Sequence, residues 1–130
     1  MGLPQQGQKK IMVVDDEADL TLLYRLALEY HGYKVYAFND PQEALSNYKS
    51  NYYDLVILDI KMPEMDGFQL YNEIKKKDLK AKVCFLTASE LYYEEFRNRE
   101  YIAIDKNLFL RKPLQNEEML KEVNRIINSD

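Results

Sequence analysis

Short apolar runs broken abruptly by charged or hydroxyl residues set the rhythm of this chain. Leu55, Val56, Ile57 and Leu58 follow one another without polar alternation and stop at Asp59. A run of that kind suits a strand buried on both faces, as in a parallel sheet covered by helices. Ile11 to Val14 ends in Asp15, Asp16 and Glu17. Val83 to Leu86 ends in Thr87, and Leu108 to Leu110 ends in Arg111, Lys112 and Pro113. A further run, Lys34 to Phe38, alternates polar and apolar more loosely and predicts an edge strand.

Helical patterns fill the spaces between these runs. Ala18 to His31 is predicted as a helix with Leu20, Leu23, Leu26, Ala27 and Tyr30 on one packed face, stopped by Gly32. Asp40-Pro41-Gln42-Glu43 opens a second helix, with a capping acid, a proline at the first helical position and a further acid behind it. Ala44, Leu45 and Tyr48 are its expected core positions. A third helix covers roughly Phe68 to Lys76, capped by Asp66, and Lys75 to Lys77 complement its dipole at the far end. Leu91 to Phe96 reads as a fourth helix, with Tyr92, Tyr93 and Phe96 apolar, whereas Arg97 to Asn107 shows no clean period. Met119, Leu120, Val123, Ile126 and Ile127 mark a fifth helix with the cleanest spacing in the chain.

Five strand–helix units with short connections imply an α/β fold with a doubly wound parallel sheet, because each crossover is right-handed and covers a face. The flavodoxin-like strand order 2-1-3-4-5 places the strands ending in Asp15-Asp16, Asp59, Thr87 and Lys112 side by side. Ligands of open α/β sheets bind at that carboxyl edge, at the switch point between strands one and three.

Composition narrows the picture. At 130 residues the chain fits one domain. Residues 1–8 (MGLPQQGQ) are expected to form a disordered tail ahead of a domain spanning 9–130. A net charge of −4 argues against nonspecific binding to nucleic acid or to an anionic membrane. No apolar stretch approaches a membrane span, and a cytoplasmic protein is the expectation. The single cysteine, Cys84, lies in a strand run and reads as a buried core thiol. Asp54 is expected to be structural at a strand start, and His31 to sit on the surface. Tyr92, Tyr93 and Tyr101 suit either an apolar contact surface or ordinary packing.

Three carboxylates on one edge repel each other and call for a cation. Mg²⁺ suits them, being held by one or two carboxylates, waters and a phosphoryl oxygen, while the absence of His and Cys from the set excludes zinc and copper. A carboxylate left free can act as a nucleophile toward a phosphoryl group. Lys112 then offers a point charge and Thr87 a hydroxyl.

The motifs VVDDE, LVILDIKMPEMDG, FLTAS and LRKP, in this order and each at a strand end, resemble the receiver domain of two-component response regulators over about Lys9 to Asn128. The resemblance implies Asp59 as phosphoacceptor and as one of the Mg²⁺ ligands, with Asp15 and Asp16 as the acidic pair around the metal. Lys61 would contribute its backbone carbonyl to the metal. Thr87 would be the switch hydroxyl, Lys112 the phosphate-contacting lysine, Phe109 the aromatic switch residue, and the Lys112-Pro113 bond cis. It further implies a sensor histidine kinase or phosphotransfer protein as donor and a downstream effector as reader. The face of helix four, strand five and helix five would carry partners or a homodimer. The chain would be a phosphoacceptor rather than an enzyme, with no direct nucleic-acid or membrane contact.

Three other functions compete. A flavodoxin-like electron carrier shares the fold but wants Ser, Thr or Gly after strand one, where Asp-Asp-Glu would repel a phosphate. A Mg²⁺-dependent phosphatase with an Asp nucleophile wants a second acid two residues later, and that residue is Lys61. A degenerate receiver, binding partners without phosphorylation, is the third; the acidic pair, Thr87 and Lys112 weigh against it.

Overall fold

In the computed structural model, described over residues 7–88 and 106–129, five parallel strands form one sheet. They are β1 (Lys10–Val14), β2 (Lys34–Phe38), β3 (Leu55–Asp59), β4 (Val83–Thr87) and β5 (Phe109–Arg111). Their order is β2-β1-β3-β4-β5, as the runs predict. Every residue of β3 and β4 is buried, which explains why their sequences lack alternation. Strand five begins one residue later than expected, because Leu108 closes a short 3₁₀ turn. The predicted fourth helix, with Tyr92, Tyr93 and Tyr101, lies outside the described residues, as does most of the expected tail.

Strand period sorts the core into two layers. Ile11, Val13, Leu55, Ile57, Cys84, Leu86 and Leu110 face α1 (Ala18–Tyr30) and the C-terminal helix (Asn116–Ile127). Met12, Val14, Val56, Leu58, Val83 and Phe85 face α2 (Pro41–Ser46) and α3 (Gly67–Lys77). Met119, Val123 and Ile126 of the C-terminal helix are buried as their spacing predicts, with Leu120 and Ile127 packed at the margin. Cys84 is fully buried, and desolvation pushes its thiol up to about 12.

The packed face of α1 differs from the expected one. Thr21, Tyr24, Ala27 and Leu28 are buried, whereas Leu23, Leu26 and Tyr30 are 56%, 57% and 86% exposed. The helix carries apolar residues nearly all round, so periodicity alone does not say which stripe meets the sheet. Gly32 ends it at φ 95°, a left-handed position that favours glycine.

Local chemistry fixes the other helix starts. The Asp40 side chain accepts from the Gln42 amide at 3.0 Å. Asp66 and Gln69 form a reciprocal capping box, with both bonds at 2.9 Å. Tyr48 falls just past α2 rather than inside it, and its hydroxyl donates to buried Asp78 at 2.9 Å. Asp54 opens β3 by accepting from the Lys10 amide at 2.8 Å, and His31 is exposed.

Candidate functional site

Strand register assembles the acidic edge. Val14 pairs with Leu58, so the next residues, Asp15 and Asp59, leave their strands level with each other. Across the next gap Asp59 pairs with Leu86, and Thr87 pairs with Arg111, which puts Lys112 just beyond the end of β5. The Lys112 amide donates to the Thr87 carbonyl at 2.8 Å, and the Lys112-Pro113 bond is cis as anticipated. Asp15, Asp59 and Thr87 are all buried.

Lys112 is the hub. Its ammonium lies 2.9 Å from Asp15 Oδ2, 3.3 Å from Asp59 Oδ1 and 3.7 Å from Glu17 Oε1. Burial by itself would lower the pKa of this ammonium. The hydrogen bond to Asp15 and the charges of Asp59 and Asp15 outweigh burial and raise it instead. Asp59 moves the other way for a carboxylate: desolvation and the neighbouring charge of Asp15 raise it from 3.8 to about 7, against the pull of Lys112. Without a bound cation, Asp59 therefore keeps its proton to higher pH than an ordinary carboxyl group.

Asp15, Asp16 and Glu17 bring one carboxylate oxygen each to within 4.8 Å of one another. Asp15 is fully buried, and its Oδ2 is paired with the Lys112 ammonium at 2.9 Å. Buried Asp15 beside exposed Asp16 and Glu17 is a donor set suited to a hard cation, all oxygen and all anionic. The residues present fit Mg²⁺. Lys61 lies in the loop two residues after Asp59 with its side chain exposed.

Phe109 is half-buried and stacks on Phe85, with ring centroids 5.1 Å apart and planes 21° from parallel. Phe85 and Thr87 occupy the same face of β4, two residues apart.

Two neighbours of the site escape the sequence reading. Glu17 directly follows the acidic pair, and that contiguity was the available signal for its approach to Lys112. Tyr24 comes from the buried face of α1; burial raises its hydroxyl, which also senses Lys112, Asp15 and Asp59. Only the misread helix face concealed it. Gly67 matters for a steric reason: a Cβ there would meet the Asp59 carbonyl oxygen at 2.4 Å.

An acidic, lysine-bridged pocket at the switch point of a 2-1-3-4-5 sheet defines a class of signalling domain, and comparison with known proteins identifies it. The chain belongs to the response regulator receiver domain family, whose pattern it matches over residues 11–124. It is 31% identical over 119 residues to the alkaline phosphatase synthesis transcriptional regulatory protein PhoP of Bacillus subtilis, covering 92% of this chain and 48% of that protein. The chain thus spans about half the length of this curated relative. Among solved structures it is similar to the non-phosphorylated HemR receiver domain of Leptospira biflexa, with TM-score 0.78, 28% identity, and coverage of 95% and 97%. It is also similar to response regulator TrrA of Thermotoga maritima in complex with Mg²⁺-BeF, with TM-score 0.76, 33% identity, and coverage of 92% and 99%. The flavodoxin-like fold and the receiver class both stand. No described helix is long and apolar enough to cross a membrane.

Proposed function

We propose that this receiver domain accepts a phosphoryl group on Asp59 and uses it to switch partner binding. The observation that carries the reading is the placement of Asp59, buried at the end of β3 and 3.3 Å from Lys112, beside an acidic cluster that fits a divalent cation. Asp15, Asp16 and Asp59, with the backbone carbonyl of Lys61, would hold Mg²⁺. The bound ion supplies charge neutralisation for incoming phosphoryl oxygens. Lys112 contributes a second positive charge, already desolvated and oriented, and Thr87 a hydroxyl at the neighbouring strand end. Asp59 acts as the acceptor rather than as a catalyst of turnover.

The donor we favour is a sensor histidine kinase or phosphotransfer protein, with an effector protein as reader and the cytoplasm as the compartment. A cleft of about 560 Å³ lined by Leu20, Leu23, Tyr24, Lys112, Pro113 and Leu114 lies beside the site. It sets exposed Leu23 of α1 beside Lys112, an apolar seat for a donor next to the acidic edge. No observation favours the degenerate alternative.

Incubation with acetyl phosphate and Mg²⁺ followed by intact-mass spectrometry tests the reading. The wild type is expected to gain one phosphoryl group, with no gain for Asp59→Asn and suppression by chelator. Equal labelling of Asp59→Asn would overturn the assignment.

A further inference from the structure

We propose that Glu17 is a positioning residue for Lys112, one that holds part of the lysine's charge away from Asp59 and so slows attack of Asp59 on anionic phosphoryl donors. The inference rests on the phosphoacceptor reading above. Glu17 occupies the N-cap of α1 and makes no capping bond, so its side chain is not tied to the helix amides. Its Oε1 stands instead 3.7 Å from the Lys112 ammonium. The Glu17 amide donates to Asp15 Oδ1 at 3.0 Å, which fixes the residue beside the site whatever its side chain does.

Lys112 therefore faces three carboxylates with one charge. Asp15 is its nearest partner at 2.9 Å. Once Asp15 is engaged by a divalent cation, Glu17 and Asp59 are the two that compete for the ammonium. Their facing oxygens lie no more than 7.0 Å apart, since both approach the same nitrogen. In the reaction a carboxylate oxygen of Asp59 attacks the phosphorus of acetyl phosphate. The bond from phosphorus to the acetyl oxygen breaks and acetate leaves with the electron pair, so no further reactant is needed. Glu17 opposes this step twice, by attracting Lys112 and by repelling the donor. One unit charge at this range, partly screened because Glu17 is exposed, corresponds to about a threefold to tenfold change in rate.

The test compares phosphoryl gain with time in wild type and Glu17→Gln at saturating Mg²⁺. Glu17→Gln is expected to label about threefold to tenfold faster with acetyl phosphate, and raised salt to narrow the difference. With phosphoramidate, a donor of smaller negative charge, the acceleration is expected to be smaller. Glu17→Ala is expected to behave like Glu17→Gln, because charge and not hydrogen bonding is at issue. Neither change removes a buried contact, so both variants are expected to fold. Equal or slower labelling by acetyl phosphate in both variants overturns the inference, as does an identical acceleration with the two donors. If the wild type itself fails to label, the phosphoacceptor reading falls and this inference with it.

Discussion

Gly67 presses against the backbone of Asp59 so closely that even a methyl group would not fit. A Cβ there would lie 2.4 Å from the Asp59 carbonyl oxygen and 2.9 Å from the Ile60 Cα, both backbone atoms that cannot swing aside. The Gly67 amide also donates to the Ile60 carbonyl at 2.8 Å, pinning the start of α3 to the loop that leaves the site. The glycine is required for close approach, not for an unusual φ. Gly67→Ala is expected to lower stability by about 1–3 kcal/mol, the usual cost of overpacking. Phosphoryl gain should fall with it, because α3 can retreat only by moving Asp59. A urea melt matching wild type would show that the junction has slack.

Asp59 should make the metal-free domain less stable as pH rises. Its folded-state carboxyl titrates at about 7 rather than 3.8, chiefly through desolvation and then through Asp15. Below pH 4 the group is protonated in both states and costs nothing. Between about pH 4 and 7 the unfolded chain loses the proton while the folded domain keeps it, so stability declines through this window. Asp59→Asn removes the titration. In chelator at pH 8 it is expected to be more stable than wild type by about 1–3 kcal/mol. Added Mg²⁺ should narrow the gap by stabilising only the wild type. Denaturant melts at pH 4.5 and pH 8 that give the two proteins the same change in unfolding free energy between those pH values would refute the account.

The two apolar sides of α1 make opposite predictions. Leu28 is fully buried against the sheet, and Leu28→Ala is expected to cost about 2–5 kcal/mol. Leu26 is more than half exposed, and Leu26→Ser is expected to change stability by less than about 1 kcal/mol. Thermal melts of the two variants distinguish this arrangement from the reverse.

That helix also shows where the sequence stops being legible. β3 and β4 could be read because a strand buried on both faces leaves an uninterrupted apolar run, and the C-terminal helix because only one of its stripes is apolar. The site followed from these, since each functional residue is the first polar residue after a run. α1 could not be oriented, because Leu22, Leu23, Leu26 and Tyr30 offer as apolar a stripe as Tyr24, Ala27 and Leu28. Choosing between them takes tertiary information: the buried side is the one whose Tyr24 meets the charged edge. Glu17 was hidden differently, as an acid at a helix start has an ordinary explanation that the geometry here does not use.

Thr87 should couple the charge on Asp59 to the ring of Phe109. Thr87 ends β4, its carbonyl holds the Lys112 amide at 2.8 Å, and Phe85, two residues earlier on the same face, stacks on Phe109 at 5.1 Å. A dianionic group on Asp59 favours any arrangement that brings the Thr87 hydroxyl and Lys112 toward it, and it shifts the equilibrium only by that differential interaction. On this account movement at Thr87 would pass through its strand to Phe85 and thence to the half-buried ring. Thr87→Ala is therefore expected to accept beryllofluoride yet show smaller NMR shift changes around Phe109 and the C-terminal helix. Lys112→Ala is expected to lose much of both binding and response, since it removes the one cation within reach of Asp15 and Asp59 among the described residues. If Thr87→Ala responds around Phe109 as fully as the wild type, the signal does not pass through β4. Phosphorylation of Asp59 would survive that result, but the switch would have to be sought on another path from the same carboxylate.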